Sequence, residues 1–328
     1  MRDVQPFNDI FYKSCFYNSM FPVVNYYKKS IIPILNNDVI AYDGDEDNIL
    51  TRLRIGYFSI ISLEEVLIKL GIRVNQFNRK TDLIESLMSS IDDEKLVIVW
   101  IDSFFESIRK DCFNKKHLLH TLLVYDYSKL QSTFNIIEHK NEENLSYRNE
   151  VILFNDIQEA YAGYYENFSN RKDMSSYYEF NMINMNHDYL LSNDKLIFKD
   201  EFFLAAKAKE NKIVRGLKLL KLFNEAINEI ILNENEIKKV TDSLIFSFNS
   251  IINGKYAETY KLIKLFNDDN NLNSIQQECL RSWSEIRSIL VKYKYSDYYK
   301  SESFKSISRK LYYIYDLESK YYEALLNS

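Results

Sequence analysis

The placement of proline and glycine constrains this chain more than any other feature. Its three prolines, Pro6, Pro22 and Pro33, all fall near the N-terminus, so no later helix has to accommodate a missing N–H. Its six glycines, Gly44, Gly56, Gly71, Gly163, Gly216 and Gly254, are widely spaced, and neither a G-x-G-x-x-G turn nor a Walker phosphate loop can be assembled from them. Long helices are expected toward the C-terminus, and Pro-rich linkers are excluded there.

Charge and cysteine usage narrow the classes further. A net charge of −5 and the lack of any zinc-finger or RNP motif argue against a nucleic-acid partner. Cys15, Cys112 and Cys279 are few, odd in number and far apart, so no disulfide framework is implied and a reducing compartment is expected. Met1-Arg2-Asp3-Val4-Gln5-Pro6-Phe7 contains no apolar h-region, and the strongly apolar run Leu96–Ile101 is too short to cross a bilayer. A cytoplasmic protein with no membrane partner is the expectation. The 328 residues suffice for about two domains.

The two halves differ in texture. Leu96-Val97-Ile98-Val99-Trp100-Ile101 is continuous, apolar and largely β-branched, as in a strand buried on both faces. Thr121–Tyr127 and Thr133–Glu138 are further strand candidates, and the polar Ser128–Ser132 between them suits a hairpin turn. Leu63–Leu70 and Thr81–Met88 have the pattern of short amphipathic helices. Helices followed by an antiparallel sheet give an α+β class. From about Asn193 onward apolar residues recur at helical spacing, among them Phe202, Ile213, Leu217, Leu220, Phe223, Leu244, Phe248, Trp283 and Leu290. The Asn- and Asp-rich run 267–273 is expected to be a loop between two of these helices. The expected division is residues 1–190 as a catalytic domain and 191–328 as a mainly helical domain or lid.

Three residues carry the candidate chemistry. Ser14 is a plausible N-cap, which puts Cys15 in the first turn of a helix, where open N–H groups and the helix dipole favour a thiolate. Such N–H groups also help hold an oxyanion. The alternative is a cysteine serving as a small buried hydrophobe. His120 directly precedes a strand and is either a rigidly held base or a histidine merely satisfied at a strand end. If the hairpin forms, Glu138 shares its open end and can accept the imidazole N–H; otherwise it is a solvated acid. Cysteine, then histidine, then an orienting residue is the order of a papain-like site.

At these residues the chain resembles a family. Leu96-Val97-Ile98-Val99-Trp100-Ile101-Asp102-Ser103-Phe104-Phe105, followed by His117-Leu118-Leu119-His120-Thr121-Leu122-Leu123-Val124-Tyr125-Asp126-Tyr127, is similar to the butirosin biosynthesis protein H family. Cys15-Phe16-Tyr17-Asn18-Ser19 resembles that family's nucleophile segment. The resemblance extends over roughly residues 5 to 190. It implies a papain-like cysteine protease fold, related to bacteriocin-processing peptidases, followed by a helical region. It also implies a cofactor-free acyltransferase of specialised-metabolite biosynthesis. The acyl group would move from the phosphopantetheine thioester of an acyl-carrier protein, through an enzyme thioester, to a small amine acceptor. Carried over by position, Cys15 is the nucleophile, His120 the base and Glu138 the orienting acid. The family's acid is usually aspartate, and its oxyanion glutamine falls where this chain has Asp9. Asn8 is the nearest amide and the oxyanion candidate, with Gln5 the other. Pro22 implies that the nucleophile helix is short or kinked.

Other positions support two readings each. Tyr164 and Tyr165, with Tyr161, Tyr177 and Tyr178, are either ordinary tyrosines or the walls of a pocket that keeps water from a thioester. Asp102 is a buried structural carboxylate or a contact for the substrate amine. Cys112, His117 and His120 with Glu138 or His139 could be read as metal ligands, but the spacing lacks a second pair and a metal on His120 would disable the triad, so no metal is expected. Lys207, Lys209, Lys212, Arg215, Lys218 and Lys221 would form one basic helix face, a solvated surface or a dock for an acidic carrier protein centred on Lys212 and Arg215. Two rival functions use the same residues: a cysteine peptidase or amidase with water as acceptor, and a non-catalytic binding protein.

Overall fold

A computed structural model describes residues 2–139, 145–168, 175–183, 195–266 and 270–327. The elements run α1 (Cys15–Tyr26), α2 (Ile32–Asn36), β1 (Asp38–Asp43), α3 (Ile49–Arg52), β2 (Arg54–Ser59), α4 (Leu63–Lys69), β3 (Ile72–Phe77), α5 (Leu83–Asp92) and β4 (Leu96–Asp102). They continue with β5 (Leu119–Ser128), β6 (Thr133–His139), β7 (Tyr147–Leu153), α6 (Phe154–Asn167) and β8 (Tyr177–Met182). Among the described residues five helices follow: α7 (Lys195–Ala208), α8 (Glu210–Ile230), α9 (Glu234–Phe266), α10 (Asn271–Ser296) and α11 (Ser301–Leu326). The class is α+β with antiparallel sheets and a helical C-terminal part. No helix among the described residues is long and apolar enough to cross a membrane.

The chain divides into two compact units, Met1–Ile31 with Ser62–Asn193, and Ile32–Ile61 with Asp194–Ser328. The expected division at 190 falls outside the described residues. Sequence reading placed residues 32–61 with the catalytic domain, whereas they pack with the helices. The reason is visible at two glycines. A Cβ at Gly216 of α8 would come within 2.9 Å of the Tyr42 carbonyl oxygen, and one at Gly254 of α9 within 2.7 Å of the Ile55 side chain. The β1–β2 hairpin therefore lies directly against those helices, which bury its apolar Val39, Ile40, Ala41, Tyr42 and Ile55.

The first unit is built on a six-stranded antiparallel sheet in the order β3-β8-β4-β5-β6-β7. All seven residues of β4 are buried, as its unbroken apolar sequence requires of a strand flanked on both sides. Val97, Val99, Leu122, Val124, Phe134 and Ile136 form a core with Leu83, Leu87 and Ile91 of α5 and Ile157, Ala160 and Tyr161 of α6. The expected hairpin is present as β5–β6, with Val124 opposite Ile136 and a turn through Ser132 at φ 53°. The amphipathic patterns at 63–70 and 81–88 become α4, closed by a Ser62–Glu65 capping box, and α5. Strands β3, β7 and β8 were not expected from sequence. Helix α1 continues through Pro22 to Tyr26, twelve residues in all. The expected loop at 267–273 is shorter on its C-terminal side, since α10 begins at Asn271, and 267–269 lie outside the described residues.

Candidate active site

Cys15 opens α1, and two local devices fix it there. The Asn18 side-chain amide donates to the Ile10 carbonyl at 2.8 Å, and its oxygen accepts from the Tyr12 amide at 3.1 Å, binding the incoming segment to the helix. Phe16 stacks on Trp100 of β4 at a ring distance of 6.2 Å and meets Tyr178 of β8 at 4.8 Å, while Ser19 Oγ lies 2.9 Å from Thr121 Oγ1 of β5. Ser14 precedes the helix in extended conformation but its side chain makes no cap bond. The Tyr17 and Asn18 amides bond the Ser14 carbonyl. The Cys15 and Phe16 amides of the first turn are thus left without a backbone or cap acceptor.

His120 and Glu138 meet at the open end of the β5–β6 hairpin. His120 is buried, and its Nε2 lies 3.0 Å from both carboxylate oxygens of the fully buried Glu138. With Nε2 occupied, Nδ1 is the ring nitrogen left for Cys15, whose thiol lies close enough to the His120 and Thr121 side chains for both to favour the thiolate. Burial alone would raise the Cys15 thiol. The charge and hydrogen bond of His120, with the Thr121 bond, outweigh burial and the opposing Glu138 charge, and the thiol ends below its ordinary value. Glu138 is pushed up to about 8 by burial, against the Arg109 charge and the His139 amide, which donates to Oε1 at 2.7 Å.

A second layer, invisible to sequence reading, surrounds the acid. Arg109 is fully buried: its Nη1 lies 3.6 Å from Glu138 Oε1 and 3.1 Å from His139 Nε2. Its Nε and Nη2 make paired 3.0 Å bonds to Asp111. Glu106 is also fully buried, and burial with the nearby Glu138 charge pushes its carboxyl well above the usual carboxylate range. Tyr147 of β7 stacks on His139 at 4.6 Å, and burial with the charges of Glu138 and Cys15 keeps its hydroxyl protonated. In sequence Glu106, Arg109 and Asp111 sit among ordinary surface charges between residues 106 and 116, and no spacing distinguishes them.

No protein-family model matches the chain. A comparison with curated proteins gives no significant match.

The remaining sequence candidates lie elsewhere or are already engaged. Asn8 donates to the Tyr147 carbonyl at 2.9 Å and accepts from the Tyr147 amide at 2.7 Å, so both of its amide atoms hold β7 in place. Asp102 is fully buried, its oxygens accepting from the Phe104 and Leu118 amides, Asn167 and His117 Nδ1 at 2.6–3.2 Å. That saturated carboxylate fits the structural alternative and leaves little capacity for a substrate amine. Tyr164 is buried against the Tyr165 and Phe168 rings, and Tyr165 hydrogen-bonds with Ser176 and the Asn78 carbonyl. The six basic residues do not share one helix, because α7 ends at Ala208 and α8 begins at Glu210. Lys212 lies over the Phe58 ring, while Arg215 donates to the Gly44 carbonyl and stands 3.8 Å from Asp43.

Metal chemistry has one candidate cluster among the described residues, His120, Glu138 and His139, with ligand atoms within 4.8 Å of one another. The Arg109 guanidinium already occupies that space, touching His139 and Glu138, and a divalent cation beside it would be repelled. Cys112 and His117, the other metal candidates, separate: Cys112 Sγ is 3.6 Å from Arg109 Nη2, and His117 stacks on Phe104 and bonds Asp102.

Proposed function

We propose that the chain is a cysteine-dependent acyltransferase on a papain-like fold, moving an acyl group from a carrier-protein thioester to an amine. The observation that carries this reading is the Cys15 thiol at a helix N-terminus, lowered by the neighbouring His120, whose Nε2 is braced by a buried Glu138. In the first half-reaction the Cys15 thiolate attacks the thioester carbonyl and the C–S bond to the carrier breaks. His120 hands its proton to the departing pantetheine thiolate. In the second, the amine attacks the enzyme thioester, His120 takes the amine proton, and the Cys15 thiolate leaves. One thioester is replaced by another at little cost, and formation of the amide drives the sequence forward, so the acyl group needs no further activation. The oxyanion is assigned to the Cys15 and Phe16 amides, which combine an open N–H with a position at the nucleophile, whereas both amide atoms of Asn8 are bonded to Tyr147. Phe16, next to the nucleophile in the chain, packs its ring against Trp100 and against Tyr178, one of the tyrosines expected to wall a pocket.

Intact-mass measurement after mixing with S-acyl pantetheine thioesters tests the reading. An acyl adduct is expected on the native chain and not on Cys15→Ala. Added small amines should discharge it as amide faster than water discharges it as acid. Discharge by water alone, or cleavage of peptides, would replace transfer by hydrolysis. No adduct with any acyl thioester would remove the nucleophile role.

A further inference from the structure

We propose that Arg109, tethered by Asp111, is a positioning residue that acts through Glu138 and decides whether His120 is braced by an anion. The proposal rests on the triad reading above for its consequence, but its physical content concerns Glu138 alone. Around that carboxyl, β6 contributes His139, β5 His120, the segment before β5 Arg109, Asp111 and Glu106, β7 Tyr147 and α1 Cys15. Among these groups Arg109 carries the one charge that pH does not remove. It is fully buried, 3.6 Å from Glu138 Oε1, and cannot swing away, because two 3.0 Å bonds fix its fork on Asp111 and a third contact fixes Nη1 on His139.

Two opposite levers therefore meet at one carboxyl. The guanidinium favours the carboxylate form of Glu138, and the Asp111 carboxylate, placed behind the guanidinium, disfavours it. Asp111 is partly solvent-exposed at 27%, so a change in its charge reaches a buried site from the surface. A purely structural arginine would have no such sign relation: removing either member of an Arg–Asp pair would damage the site in the same direction. A positioning arginine predicts shifts of opposite sign from its two ends.

The test reads Glu138 directly. In the full chain labelled at the glutamate side-chain carboxyl carbon, the resonance that disappears in Glu138→Gln is followed against pH by NMR. The native midpoint is expected near the elevated value the burial imposes. Arg109→Met should move it up by about one unit or more, Asp111→Asn should move it down, and Arg109→Lys should leave it within about half a unit. Asp111→Asn alters a partly exposed side chain and keeps the test alive if Arg109→Met does not fold. An unmoved midpoint in Asp111→Asn, or shifts of the same sign from both ends, would overturn the inference. In parallel, the pH profile of Cys15 alkylation should lose the same inflection in Glu138→Gln and follow it in the other variants. If the carboxyl responds as described but Cys15 alkylates as an ordinary thiol, the triad reading fails while the Arg109–Glu138 coupling stands. If Cys15 is activated but the carboxyl ignores both ends, the coupling fails alone.

Discussion

Each unit of this protein holds a buried charge cluster, and the two clusters are built in opposite ways. In the helical unit, Lys255 and Glu318 are paired at 2.5 Å and Lys261 and Glu258 at 2.8 Å, each cation matched by one anion. The Lys255 ammonium lies over the Tyr42 and Tyr322 rings, the Tyr42 hydroxyl donates to Glu318 at 2.8 Å, and Trp283 donates to that hydroxyl at 3.0 Å. In the sheet unit, the carboxyls of Glu106, Asp111 and Glu138 surround a single permanent cation, Arg109. Protons have to make up that difference, and a site that holds protons near neutral pH can also exchange them. Burial alone thus says little about function. A matched pair is inert, whereas an acid excess beside a partly exposed thiol is a place for proton transfer.

The largest effect should come from the thiols themselves. Cys15→Ala is expected to lower acyl transfer by about 10³-fold or more, the usual scale for loss of a nucleophile. Native-state alkylation followed by peptide mass should rank Cys15 far ahead of Cys279, whose thiol burial and the Glu318 charge push far up. Comparable labelling of both would erase the contrast between the units.

Breaking a matched pair should be costly to stability and neutral to chemistry. Lys255→Met leaves Glu318 buried without its cation and should cost about 3–5 kcal/mol in urea unfolding. Adding Glu318→Gln removes the stranded charge, keeps an acceptor for Tyr42, and should recover most of the loss. The chain has two tryptophans, Trp100 in the sheet unit and Trp283 in the helical one, so single-tryptophan variants report each unit separately. Cys15 alkylation should be unchanged in Lys255→Met; a large drop would show that the paired charges matter to the chemistry.

Much of the site was legible in the chain because its parts lie on regular elements. The strand patterns at 121–127 and 133–138 and the polar turn between them located the hairpin, and with it the meeting of His120 and Glu138 at 3.0 Å. The helix beginning at Cys15 was signalled by Ser14, although Ser14 leaves the first turn uncapped. What could not be read lies in irregular backbone. Arg109 and Glu106 occupy a loop where a charged residue normally faces water, and only the tertiary fold encloses them. Strands β3 and β8 were missed because Ile72–Phe77 and Tyr177–Met182 are short and mixed in polarity, and what holds them extended is pairing across the sheet, β3 with β8 and β8 with β4. Residues 32–61 were misplaced for a similar reason, since local pattern does not say which helices an apolar hairpin will cover.

The acid excess also predicts how stability depends on pH. Glu138, raised to about 8, and Glu106, raised well above the usual range, both keep a proton in the folded state that the unfolded chain releases above its ordinary carboxylate value. The unfolded chain then binds fewer protons, so the sheet unit is most stable below about pH 4.5 on this account and loses stability as pH rises toward 8. Each group contributes a slope of about 1.4 kcal/mol per pH unit within that window. Glu138→Gln and Glu106→Gln should each flatten the Trp100-detected dependence by one such slope, while the Trp283-detected dependence of the helical unit stays the same. Equal slopes in the two units would remove the distinction between matched and unmatched charge.

The smallest expected effect concerns the basic surface of α8. Lys218 is paired with Glu46 at 2.9 Å, and Arg215 stands near Asp43, so acids of the same unit already offset part of the positive field. Exposed pairs of this kind are weak and screened by salt, which leaves the cations able to exchange partners. If this surface meets an acidic carrier protein, reversing Lys212 and Arg215 to glutamate should raise KM for a carrier-bound thioester by about threefold to tenfold at low salt and by less at high salt. The same variant should leave KM for a free pantetheine thioester untouched, because that substrate carries no protein surface to dock. An equal change for both substrates would assign the effect to the fold, and no change for either would leave α8 a solvated face. The comparison is sharp because Arg215 is exposed and Lys212 half-buried over the Phe58 ring, and both lie in the helical unit, so the two substrates differ only in what the surface can touch.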